Sequence, residues 1–115
     1  MQRLNKETID MILELANGDN GVLLELFNSF LKDAKELSED ITSAVCNLEW
    51  EEVQFKAHTL KGLSGTIGAK TLYDICKTLN SDLKNGNKMT ASSLAYSLSV
   101  EYKELEKYIE GNYQI

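Results

Sequence analysis

Val53-Gln54-Phe55-Lys56-Ala57-His58-Thr59-Leu60-Lys61-Gly62-Leu63-Ser64-Gly65-Thr66-Ile67 is the stretch that decides how this chain of 115 residues folds. At about 100° per residue, Val53, Ala57, Leu60, Ser64 and Ile67 fall within roughly 40° of one line, the mark of an amphipathic helix with a single apolar stripe. His58, the one histidine of the sequence, lies about 140° from Val53 on the same wheel and projects to the polar side. Lys61 and Gly62 follow it at the three- and four-residue spacings that bring side chains onto neighbouring turns, so a cation and an absent side chain flank the imidazole.

The same periodicity extends outward in both directions. Asn5 caps a short helix that carries Ile9, Ile12, Leu13 and Ala16 until Asn17-Gly18-Asp19-Asn20-Gly21 breaks it. A long helix from about Val22 to Cys46 follows, with Leu23, Phe27, Phe30, Leu31, Ala34, Leu37, Ile41, Ala44 and Val45 as its stripe. The His58 helix starts near Trp50, where Glu49, Glu51 and Glu52 complement the N-terminal dipole, and ends around Gly65-Thr66-Ile67-Gly68. Leu72, Ile75, Cys76, Leu79 and Leu83 make a fourth helix that Asn85-Gly86-Asn87 terminates. The last helix begins at the N-cap Thr90, carries Leu94, Leu98, Tyr102, Leu105 and Ile109, places Glu101, Lys103, Glu104, Glu106 and Lys107 on its wet side, and ends at Gly111. No proline interrupts any of them. The expected fold is all-α, one domain over residues 1–115: an antiparallel up-down-up-down four-helix bundle with a short additional N-terminal helix as a lid over one end. Phe27, Phe30, Tyr73, Tyr96 and Tyr102 are expected in the core, and Cys46 and Cys76 as buried, reduced thiols.

Composition narrows the function. A formal charge of -6 argues against binding to nucleic acid or anionic membrane, both of which select clustered lysine and arginine, and leaves proteins as the partners. No apolar run approaches the roughly 18 residues of a membrane span, and Met1 is followed by polar residues, so a cytoplasmic location is expected. Lys56, Lys61, Lys70 and Lys77 gather around the His58 helix and its successor, a patch suited to a phosphate and an acidic docking surface. Gly65-Thr66-Ile67-Gly68-Ala69-Lys70-Thr71 is not a phosphate-binding loop, because Ala69 separates glycine from lysine and a helix precedes it. Gly62-Leu63-Ser64-Gly65 matches the GxxG string of an RNA-binding loop without the sheet that fold requires. One histidine and no ligand-spaced cysteines make a zinc centre improbable.

What remains is the chemistry of an exposed imidazole. Neutral imidazole is nucleophilic near pH 7 and takes up a phosphoryl group without an activating base. Lys61 neutralises part of the added charge. Gly62 and Gly65 each cost a helix about 1 kcal/mol relative to alanine, and steric access for an incoming protein is the reason inferred for them. Phe55, one turn before His58, and Leu63 at the margin of the face are candidate apolar docking contacts.

Ala57-His58-Thr59-Leu60-Lys61-Gly62, followed by Ser64-Gly65, Gly68-Ala69, Leu72 and Cys76-Lys77-Thr78-Leu79, resembles the histidine-containing phosphotransfer (HPt) domain family. Leu48-Glu49-Trp50 also looks like the family's approach to the phosphorylated helix. The resemblance implies a phosphoryl carrier in a multistep His-Asp phosphorelay, with the group on Nε2 of His58 and with Lys61 and Gly62 in the family's helper positions. It implies response-regulator receiver domains and a hybrid sensor histidine kinase as partners, no kinase activity in this domain, no cofactor of its own, Mg²⁺ only on the receiver, and a monomer. Where many members carry Gln or Glu on the following helix, this chain has Asn80, counted with Phe55, Leu63 and Gly65 among the docking positions. The alternative is a helical-bundle interaction domain in which His58 is never phosphorylated. A module cut from a larger hybrid sensor or chemotaxis-type kinase would read the same way.

Overall fold

The structure, a computed structural model, describes residues 3–113. These form α1 (Lys6–Leu15), α2 (Asn20–Cys46), α3 (Trp50–Ile67), α4 (Lys70–Lys84) and α5 (Ala91–Tyr113). At about 1.5 Å per residue the 27 residues of α2 measure about 40 Å, which spans most of the molecule's 45 Å long axis. α2 packs against α3 and α5, and α4 packs against the same two helices, closing a ring of four. The connections between them are short, so successive helices reverse direction and the arrangement is antiparallel.

The stripes read from the sequence supply the core. Val53, Ala57, Leu60, Leu72, Leu79, Leu98, Leu105 and Ile109 are all fully buried. In α3, burying Val53, Leu60 and Ile67 contributes about 1.5–3 kcal/mol for each side chain, which outweighs the roughly 2 kcal/mol that Gly62 and Gly65 together cost in propensity. Ser64 completes the stripe at 0% exposure, with no hydrogen-bond partner for its hydroxyl among the described residues.

Local capping fixes the ends. Asn5 Oδ1 accepts from the backbone N–H groups of Glu7 (2.9 Å) and Thr8 (3.3 Å). α2 starts two residues earlier than Val22, because Asp19 Oδ1 accepts from the Gly21 N–H at 2.8 Å and so recruits Asn20 and Gly21 into the helix. α3 ends on Gly68, in the left-handed region at φ +80°, while the Ala69 N–H returns to the Ser64 carbonyl at 2.8 Å. Gly68 is also where the lid attaches: the Asn5 N–H donates to its carbonyl at 2.7 Å, and a Cβ there would sit 2.8 Å from Thr8 Cβ. α1 thus leaves the α3–α4 turn, packs on α2 and α3, and covers that end of the bundle.

Five local expectations are corrected. Cys46 is exposed, because it ends α2 about 140° around the helix from the buried Ile41, although Ala44 and Val45 beside it are in the core; Cys76 is buried as expected. Tyr96 is 72% exposed and Tyr73 only half-buried, the first because it lies on the outward side of α5, opposite Leu98 and Leu105. Glu101 is not on the wet side of α5 but 6% exposed, covered by the segment before α1, where Arg3 Nε lies 3.4 Å from its carboxylate. Gly111 does not end α5, which continues to Tyr113 as that ring packs on Phe27 with centroids 4.7 Å apart. Lys56 and Lys70 do not join the basic patch, since each is engaged by carboxylates elsewhere.

Candidate functional site

His58 is exposed near the middle of α3, on the side opposite the stripe, and its imidazole has no hydrogen-bond partner among the described residues. Helical side chains lean toward the N-terminus, so the ring lies over the turn that holds Gln54 and Phe55 and leaves Gly62 behind it. The hydroxyls of this helix face are turned onto its own backbone: Thr59 Oγ1 donates to the Phe55 carbonyl at 3.0 Å and Thr66 Oγ1 to the Gly62 carbonyl at 3.1 Å. Neither competes for the imidazole.

Between α3 and α4 lies an open depression of about 630 Å³, lined by Gln54, Phe55, His58, Lys61, Lys77, Asn80, Ser81 and Lys84. Four of the sequence candidates, His58, Lys61, Phe55 and Asn80, therefore come together. Three lysines and no acid line it, in a chain that is acidic overall. Lys61 leans toward α4, where its charge partly offsets the effect of burial that pushes the Cys76 thiol up to about 12. Phe55 is 67% exposed and forms an apolar shoulder beside the imidazole. A Cβ on Gly62 would meet nothing within 4 Å, so that position is open space rather than a packing requirement.

Gly65 and Leu63 sit apart from the imidazole, and Asn80, though it lines the depression, is engaged elsewhere. Gly65 lines a separate, smaller cavity with Thr8, Ser64 and Tyr73, and a Cβ there would meet the Tyr73 ring at 3.4 Å, an ordinary van der Waals contact that does not by itself demand glycine. Leu63 is half-buried against the core. Asn80 spends its amide on α3: Nδ2 donates to the Gln54 carbonyl at 3.0 Å and lies 2.7 Å from the Gln54 side-chain amide. It clamps the two walls of the depression together and, among the described residues, makes no hydrogen bond to His58.

Lys84 and Gln54 belong to this depression and were not among the sequence candidates. Lys77, Ser81 and Lys84 repeat at four- and three-residue spacing, one edge of α4, and that periodicity would have found Lys84 once the edge facing α3 was known. A second set of exposed apolar side chains, Met11 and Leu15 on α1 with Val22 and Leu26 on α2, marks the lid end. Among the described residues no three histidine, cysteine or acidic side chains gather to hold a metal ion, and no helix is long and apolar enough to cross a membrane.

The Hpt domain model matches residues 25–110, most of the chain, and the protein belongs to that family. Its fold is that of histidine-containing phosphotransfer protein B (HptB) from Pseudomonas aeruginosa PAO1, to which it is similar with a TM-score of 0.87 over 97% of this chain and 95% of that one, at 20% sequence identity. No curated protein sequence matches it significantly. Domains of this family are histidine-phosphotransfer carriers of phosphorelays rather than kinases, and they exchange with receiver domains and kinases.

Proposed function

We propose that His58 is the residue that carries the phosphoryl group, received from the aspartyl phosphate of one receiver domain and passed to the aspartate of another. The observation that carries this reading is that the one histidine of the sequence stands exposed and unbonded beside a depression lined by lysines. In the forward step the Nε2 lone pair of neutral imidazole attacks phosphorus, the bond between phosphorus and the aspartyl oxygen breaks, and the carboxylate leaves with the bonding pair. The Nδ1 proton stays on the ring and can pass to water. The reverse step returns the group to a second carboxylate.

Phosphoryl transfer is accelerated by positioning and by cations at the equatorial oxygens. Lys61, one turn from the imidazole, supplies such a charge from this chain, and Gly62 leaves room for the partner's loops. Mg²⁺ and the carboxylates that hold it belong to the partner in this reading, and Phe55 with the apolar side chains of the lid end supplies contact area. The test is to incubate the protein with a panel of receiver domains charged by acetyl phosphate and Mg²⁺, then assay acid-labile, base-stable phosphate on wild type and His58→Gln. Label on the wild type alone, with both proteins equally folded by circular dichroism, supports the assignment. Label on His58→Gln, an unlabelled wild type, or loss of fold in the variant refutes it.

A further inference from the structure

The surface on either side of His58 is not electrically uniform. On the α4 side stand Lys61, Lys77 and Lys84 with no acidic neighbour in the depression. On the α2 side Lys56 is surrounded: its ammonium lies 3.2 Å from Asp40 and 3.7 Å from Glu52, and Asp40, Glu52 and Glu36 together hold its pKa above the ordinary range. The three carboxylates against the Lys56 ammonium give that cluster a net charge of about -2, whereas the three lysines of the depression carry about +3. Phe55 stands between them, roughly 100° around α3 from Lys56 and about 120° from Lys61 in the other direction.

We infer that this bipolar face fixes the angle at which a receiver docks, with an acidic, metal-holding rim over the α4 edge and a basic edge over α2. The inference rests on the phosphocarrier reading of His58 and adds the orientation and charge pattern of the partner. The occupant follows from complementarity. A phosphoaspartyl site that uses Mg²⁺ must hold the ion with carboxylates close to the reacting phosphorus. Those carboxylates meet the lysines if the partner's rim lies over α4, and meet Glu36, Asp40 and Glu52 if it is turned the other way. Like charges juxtaposed in an interface are strongly disfavoured, so one orientation is selected before any apolar contact forms. In this arrangement Lys77 and Lys84 are specificity-determining residues that read the partner's acidic rim, and Lys61 lies nearest the transferred group.

The experiment uses the full chain and whichever receiver of the charged panel transfers fastest, with KM and kcat measured for wild type and for the doubles Lys77→Glu/Lys84→Glu and Glu36→Lys/Glu52→Lys. All four positions are at the surface, and circular dichroism checks that both doubles fold. Each double should raise KM about tenfold with kcat within about twofold of wild type, and the gap should close between about 50 mM and about 500 mM salt, where surface charges are screened. An unchanged KM in the lysine double overturns the inference, as does a fall in kcat alone. A KM that is unchanged or lowered in the glutamate double removes the bipolar orientation. Labelling of His58 with a KM indifferent to charge sinks this inference and leaves the carrier reading standing, whereas an unlabelled wild type ends both.

Discussion

Replacing Gly62 separates the demands of folding from those of docking. Gly62 lies inside α3 with right-handed helical backbone, and a Cβ built on it meets nothing within 4 Å. No contact is therefore available to oppose the intrinsic preference of a helix for alanine, about 1 kcal/mol. With an unfolding entropy of about 0.24 kcal/mol/K for a chain of this length, Gly62→Ala should raise Tm by about 4 °C in a circular dichroism melt at 222 nm. Gly62→Gln should fold at least as well as wild type, yet place a long side chain on the face beside His58 and slow receiver transfer about tenfold or more, since a misplacement of reacting groups by about 1 Å can cost about a hundredfold. Gly111 is the internal control: it is helical, exposed and equally uncrowded, but on α5, so Gly111→Gln should leave transfer unchanged. Gly68→Ala is the opposite control, with φ +80° and a Cβ 2.8 Å from Thr8, and should lose about 1–2 kcal/mol or more. If Gly62→Ala lowers Tm, or if folded Gly62→Gln accepts phosphoryl groups at the wild-type rate, open access is not why glycine stands there.

Ser64→Ala should stabilise the protein by about 1 kcal/mol, because it removes a fully buried hydroxyl that has no partner; a lower urea midpoint would show that the hydroxyl is satisfied in solution. Arg3→Ala should destabilise it by about 1–3 kcal/mol at pH 7, since the Glu101 carboxylate is left buried beside Glu104. Burial already raises the pKa of Glu101 and Arg3 lowers it, so the variant's carboxyl rises further. A raised folded-state pKa makes stability fall as pH rises above the ordinary value of 4.5, so the deficit of Arg3→Ala should shrink on acidification; a deficit constant with pH would remove Glu101 from the explanation. Cys46 should react with a thiol reagent in the native protein whereas Cys76, buried and with its thiol pushed up to about 12, should react only on unfolding; equal rates would contradict the packing of α4.

Periodicity carried the secondary structure because each stripe is a local property: Val53, Ala57, Leu60, Ser64 and Ile67 share a face at any position in space, and His58 is excluded from that face by the same geometry. Caps at Asn5 and Gly68 are local too, since side-chain oxygen or glycine acts on backbone within a few residues. Errors came where a distant segment decides. Glu101 is polar and off the apolar line of α5, yet the segment carrying Arg3 folds over it, a contact that spans nearly the whole chain. Tyr96 is a different case: its aromatic ring suggests the core, but its place opposite Leu98 and Leu105 on α5 already sets it outward.

The sequence by itself determined the helices, their buried faces and the outward setting of His58, Lys61 and Gly62, because side-chain spacing along one helix is enough for each of these. Tertiary structure alone decided which charges stand beside the imidazole. Lys56 is two residues from His58 yet is neutralised across the α2–α3 edge, while Lys84, 26 positions along the chain, is brought into the depression by the reversal at Gly68 and Ala69. Electrostatic neighbourhood depends on distance in space, and only the packing of α3 between α2 and α4 sets those distances.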